Sequence, residues 1–172
     1  DRTGNIYFTD PIYGLPKQEN DPTRELRFEG VYKIDTSGKT TLLIDSISRP
    51  NGVALSPDEN ILYIGSSDSD KPRWYAYKLN DRRQIQSGGV LLDATALKES
   101  AKVKQGPDGL KIDNSGNLYS AGPDGINVLS PQGKRLALIH IYNRPTSNCA
   151  FNETKTELYI TADDMVFRVK LK

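Results

Sequence analysis

The stretch that decides the fold is Asn51-Gly52-Val53-Ala54-Leu55, the turn Ser56-Pro57-Asp58-Glu59-Asn60, and then Ile61-Leu62-Tyr63-Ile64-Gly65. A polar residue opens a short apolar run, a turn-forming cluster follows, and a second run carries Leu-Tyr. The cadence returns as Asp108-Gly109-Leu110-Lys111-Ile112 with Leu118-Tyr119-Ser120-Ala121, and as Asn148-Cys149-Ala150-Phe151 with Leu158-Tyr159-Ile160-Thr161. Its second half alone stands at Ile6-Tyr7-Phe8-Thr9. Self-similarity at roughly 40 to 60 residues marks a blade-by-blade β architecture. In a propeller the blades are four-stranded sheets set around a central channel, so the openers should converge on one axis.

Working outward, strand signals dominate. Short runs rich in β-branched and aromatic residues, bounded by Gly, Pro, Asp or Ser, predict strands at 5–10, 30–35 and 40–45. A second group is predicted at 52–56, 61–66, 74–79 and 89–92, and a third at 109–113, 117–121, 126–130 and 135–141. The last comprises 149–151, 157–162 and 165–171. The turns between them, such as Asp113-Asn114-Ser115-Gly116 and Ser130-Pro131-Gln132-Gly133, hold residues that tolerate positive φ. One helix is predicted, over 94–102. The result is an all-β chain of 3+4+4+3 strands, about four propeller blades, forming one partial domain over 1–172. The first group lacks an opening strand and the last lacks an outermost one. This reads as the later portion of a ring, with open sheet edges that further blades or another chain must cover.

Composition excludes several function classes. The 172 residues carry a formal net charge of +1, and the basic residues are scattered, with Arg82-Arg83 and Lys134-Arg135 the longest groupings. Neither nucleic acid nor a membrane surface is indicated as a partner. No apolar run reaches membrane-span length, so a soluble protein, cytoplasmic or periplasmic, is expected. The single cysteine, Cys149, rules out an internal disulfide framework and a multi-cysteine zinc site. Its place on an inner strand predicts a buried structural thiol. The single histidine, His140, falls on an outer strand, and no G-x-S-x-G elbow accompanies it. A Ser-His-Asp triad is therefore not expected.

The first strand of a blade lines the channel, so Asn51, Asp108 and Asn148 each stand at one mouth of it. Oxygen donors converging there suit a hard cation. The alternative is that Asn-Gly and Asp-Gly serve only as turn formers. Loops joining second to third strands open on the same face. The long one, 10–28, must overhang the mouth and has the length of a lid or binding element. Within it Tyr13 and Arg24 are candidates for gripping a polyhydroxylated ligand through a ring face and a guanidinium fork. The alternative is internal packing, with Arg24 paired to Glu25 or Asp21. Ser67-Asp68-Ser69-Asp70 occupies the equivalent loop of the next blade and reads as a solvated turn. Trp74 opens a third strand, where packing is favoured over ligand contact.

Several segments together resemble one known family. Thr9-Asp10-Pro11-Ile12-Tyr13-Gly14-Leu15, Arg49-Pro50-Asn51-Gly52-Val53-Ala54-Leu55-Ser56-Pro57-Asp58 and Gly106-Pro107-Asp108-Gly109-Leu110 are similar to the gluconolactonase branch of the SMP-30/gluconolactonase/luciferin-regenerating-like family. Thr146 to Phe151 and Leu158 to Thr161 resemble its last blade. The resemblance implies a six-bladed propeller that hydrolyses a sugar lactone with one divalent cation, Ca²⁺ first and Mg²⁺ or Zn²⁺ as alternatives. It implies that Asn51 and Asp108 are metal ligands, that Asp108 is also the acid/base residue, and that Asn148 is structural. It further implies a Glu ligand from the first blade and an Asn opening the third, neither of which lies within these residues. The chain would then span blade three, from its second strand, to blade six, and by itself would be inactive. The rival readings are a non-catalytic propeller that binds a ligand or protein, and a lactonase or esterase of different substrate range.

Overall fold

The structure, a computed structural model, describes residues 1–171. Four antiparallel sheets follow one another along the chain. The first holds β1 (Ile6–Asp10), β2 (Gly30–Ile34) and β3 (Thr40–Ile44), in that spatial order. The second holds β4 (Pro50–Leu55), β5 (Ile61–Ser66), β6 (Arg73–Leu79) and β7 (Ile85–Asp93). A short helix, α1 (Thr95–Ser100), leads to the third sheet of β8 (Leu110–Ile112), β9 (Leu118–Gly122), β10 (Gly125–Leu129) and β11 (Arg135–His140). The fourth is β12 (Thr146–Phe151), β13 (Glu157–Ala162) and β14 (Met165–Lys170). The expected 3+4+4+3 meander is what the chain adopts. The departures lie at ends: β7 starts earlier than predicted, and β8 is shorter than its apolar run suggested.

Consecutive sheets pack face to face as propeller blades do. Val31, Ile44 and Ile47 of the first meet Leu62, Ile64 and Leu79 of the second. Tyr63 and Trp74 of the second meet Leu110, Leu118 and Leu129 of the third. Ala121 and Ile126 of the third meet Cys149, Leu158 and Ile160 of the fourth. In β13 the buried residues alternate with period two, whereas β5 and β10, covered on both faces by neighbouring sheets, are buried along nearly their whole length. Trp74 is fully buried and its Nε1–H donates to Ser120 Oγ at 2.8 Å, tying the second blade to the third. Packing is its role, as expected. At the far side, turns such as Asp113–Gly116 close on Asp113 Oδ1, which accepts the N–H of Ser115 and of Asn117, each at 2.8 Å. Gly116 takes φ +85°, the left-handed region the turn requires.

The innermost strands β4, β8 and β12 lie side by side, and β1 packs on β4 as β9 packs on β12. Where they meet, two glycines decide the spacing. A Cβ on Gly52 would stand 2.3 Å from the Asp108 carbonyl oxygen, and one on Gly109 would stand 2.3 Å from the Asn148 side chain. Neither residue has a positive φ, so these glycines are not turn formers. They are needed because the next inner strand crosses there without room for a side chain.

Candidate functional site

Each opener sits at an irregularity in its strand. The β4–β5 register shifts between Pro50 and Val53, and the β12–β13 register shifts between Thr146 and Asn148. In the third sheet the ladder continues past β8: Asp108 N–H donates to the Ala121 carbonyl and Ala121 N–H to the Gly109 carbonyl, each at 2.9 Å. A bulge sets an extra residue into one strand, which shifts the local register and re-aims a side chain. Here it turns residues at the end of the inner strands toward the mouth of the channel.

The result is a cavity of about 500 Å³ lined by Tyr13, Asn51, Ser67, Gln105, Asp108 and Ser147, among others. Asn51 and Asp108 are both half-buried. Asn51 Nδ2 donates to Ser67 Oγ at 2.9 Å, and Ser67 Oγ donates onward to the Pro107 carbonyl at 2.5 Å. Pinning the amide nitrogen leaves Asn51 Oδ1 as the atom available to a ligand. Asp108 Oδ1 accepts the N–H of Gly109 at 2.8 Å. Burial pushes the Asp108 carboxyl above the usual range, with the Gly109 N–H and the Asn51 side chain pulling the other way.

The two residues predicted as ligands thus come together, and Tyr13 reaches them from the lid. Its phenol is raised by burial, opposed by the Ser67 hydroxyl and the Arg49 guanidinium beside it. Arg24 does not join them. It lines a separate cleft of about 350 Å³ with Asp10, Thr23, Glu25 and Phe28, inside the fold of the 10–28 segment. The guanidinium near Tyr13 belongs to Arg49, 5.4 Å from the ring centroid. Asn148 is not in the cavity wall; its Oδ1 accepts from Cys149 N–H at 2.9 Å and Lys111 Nζ at 3.3 Å, a structural role. Cys149 is buried, and burial pushes its thiol up to about 11. His140, on the outer strand β11, lies tilted against Tyr142, with ring centroids 4.1 Å apart.

Sequence reasoning missed several side chains of the cavity, Ser67 and Gln105 among them. Ser67 was grouped with a solvated turn, yet it immediately follows β5 on the mouth side, and that position was the available signal. The rest of the turn behaves as expected, with Asp68 Oδ1 accepting the N–H of Asp70 and of Lys71. Gln105 bridges the last two blades: its Nε2 donates to the Thr146 carbonyl at 2.6 Å and its Oε1 accepts the Thr146 N–H at 2.8 Å. Nothing local marks it.

As for a metal, Asn51 Oδ1 and the Asp108 carboxylate are hard oxygen donors of the type a divalent cation takes. They fit as part of a coordination sphere. Among the described residues no three His, Cys, Asp or Glu side chains converge to complete one.

With that geometry in hand, a model of the SMP-30/Gluconolactonase/LRE-like region matches residues 1–164. The chain belongs to that family. A gluconolactonase of Zymomonas mobilis is 38% identical over 178 residues, covering 99% of this chain and 48% of the relative. A lactonohydrolase of Aspergillus oryzae is 30% identical over 187 residues, covering 99% of this chain and 42% of its own length. Among solved structures, a gluconolactonase from Xanthomonas campestris superposes with a TM-score of 0.83 at 29% identity, covering 100% of this chain and 55% of that one. The blades described above are therefore those of the family's propeller, and the chain spans about half the length of the relatives it matches. Among the described residues no helix is long and apolar enough to cross a membrane.

Proposed function

We propose that the protein to which this chain contributes hydrolyses a sugar lactone, and that the chain supplies blades three to six of its six-bladed ring. The observation that carries this is the convergence of Asn51, Ser67, Asp108 and Tyr13 on one cavity at the ends of the inner strands. Family membership and the names of its relatives support the reaction class.

A lactone entering the cavity meets Tyr13 on the lid side and the inner strands below. Asp108, its pKa raised by burial, is suited to take a proton from the attacking water. The water oxygen bonds to the carbonyl carbon, the ring C–O bond breaks, and the proton passes from Asp108 to the departing ring oxygen. Gly109 N–H holds Asp108 Oδ1, so Oδ2 carries the proton. Asn51, oriented by Ser67, presents Oδ1 toward the same space. Lewis-acid polarisation of the lactone carbonyl is the chemistry that one divalent cation, Ca²⁺ or else Mg²⁺ or Zn²⁺, would supply when held by Asn51 and Asp108. The remaining blades would contribute further ligands and cover the edges of the first and last sheets.

The test is Asp108→Asn in the full-length protein, with proton release from glucono-1,5-lactone followed by a pH indicator. Loss of roughly a hundredfold or more in kcat is expected for removal of a general acid/base. Near wild-type turnover would sink the assignment.

A further inference from the structure

We propose that Arg49 is a positioning residue that latches the 10–28 segment over the cavity and sets where Tyr13 stands; this rests on the lactonase reading for its kinetic consequence only. The residue works from both ends. Its backbone takes φ +51°, in the left-handed region that a non-glycine residue rarely adopts. In that conformation its N–H donates to Glu29 Oε2 at 2.5 Å, and its carbonyl accepts the N–H of Ser67 at 3.0 Å. Two residues later comes Asn51, so the same turn that strains Arg49 aims Asn51 at the cavity.

Glu29 is the inner anchor. It is buried, and its Oε1 accepts the N–H of Ile12 at 3.0 Å. One carboxylate therefore joins the root of the lid to the turn before Asn51. The Arg49 side chain is the outer latch. Nη1 donates to Gln18 Oε1 at 2.9 Å, Nη2 donates to Glu19 Oε1 at 2.5 Å, and the guanidinium lies against the Tyr13 ring. A single planar fork thus holds the Gln18–Asn20 turn and the tyrosine at once, which a lysine ammonium cannot do.

The other ties from 11–28 to the rest of the protein are few: Ile12 to Glu29, and Tyr13 beside Ser67. The rest of the segment bonds to itself, as where Asp21 accepts from Lys17 and Thr23. The two acidic partners of Arg49 differ in exposure, 8% for the Glu29 side chain and 55% for that of Glu19. The Glu29 contact is shielded from water. The Glu19 contact faces water, where salt screens it, so the latch releases at its outer end first.

Arg49→Lys and Glu19→Gln test this in the full-length protein, by hydrogen–deuterium exchange of peptides covering 12–20 and by lactone kinetics. Exchange in that stretch should rise about tenfold in Arg49→Lys and about twofold to threefold in the exposed Glu19→Gln, the scale of a partly buried and a surface ion pair. KM should rise in parallel with little change in kcat, because Tyr13 is misplaced while Asp108 is untouched. High salt should reproduce the Glu19→Gln effect on the wild type. If both variants melt like wild type and exchange in 12–20 is unaltered, the latch is refuted. If exchange rises but even the wild type opens no lactone, the latch stands and the lactonase reading falls.

Discussion

Replacing Gly52 with alanine should damage both the fold and the site, and the damage can be worked from the structure. The new Cβ would lie 2.3 Å from the Asp108 carbonyl oxygen, 2.9 Å from Leu110 N and 3.0 Å from Gly109 Cα. All three are backbone atoms, so no side chain can swing aside. Restoring ordinary contact means moving β4 away from the Asp108–Leu110 segment by roughly 1 Å, in an interior packed like a crystal. That segment cannot drift freely, because Ser67 Oγ holds the Pro107 carbonyl and Ala121 pairs with both Asp108 and Gly109. Overpacking of this kind costs about 1–3 kcal/mol, and a backbone-on-backbone clash belongs at the upper end. At about 2–4 °C per kcal/mol for a domain of this size, a fall in Tm of about 6–12 °C follows. Asp108 shifts against Asn51 by the same displacement, enough to lower turnover about a hundredfold. The control is Gly89→Ala on β7, where nothing lies within 4 Å of the added Cβ and stability should hold or rise by about 0.5 kcal/mol. Urea unfolding of the two variants beside wild type decides the matter. Equal midpoints for Gly52→Ala and Gly89→Ala would refute the close-approach argument.

Cys149, buried and with its thiol pushed up to about 11, should react with a thiol reagent at pH 8 only after unfolding; stoichiometric labelling of the native protein would contradict its placement. Asp93 is held down to about 2 by the Thr95 hydroxyl and N–H and by Arg73. A depressed carboxylate stabilises the fold above its unfolded value near 3.8 and stops doing so as pH falls through about 2. The wild type should therefore exceed Asp93→Asn in stability at pH 6, with the gap closing between about pH 4 and 2. A gap of the same size at pH 2 would show that the charge is not the cause.

The strand order was legible because the forces that set it are local. Alternating burial, β-branched residues and turns built on Asp113 or Gly116 act within a few residues. The positions of Asn51 and Asp108 were legible for a related reason: a repeat carries its openers to equivalent strand ends, although the third opener, Asn148, stays out of the cavity wall. Arg24 shows where that stops. It lies in the same loop as Tyr13, and proximity along the chain suggested a shared site. The loop folds back on itself and puts Arg24 in a cleft of its own, while Arg49 arrives from the connection between the first and second sheets.

By itself, then, the sequence determined a meander of 3+4+4+3 strands, its family, and the places of Asn51 and Asp108 at the ends of inner strands. Tertiary structure decided who accompanies them. Ser67 orients Asn51, Gln105 spans the last two blades, and Arg49 reaches across to Glu19 and Tyr13. It also decided why Gly follows Asn51 and Asp108. Dipeptides that could equally well make turns are present because inner strands of adjacent blades cross within van der Waals contact there. That contact joins residues far apart in the chain, and no pattern of local period carries it.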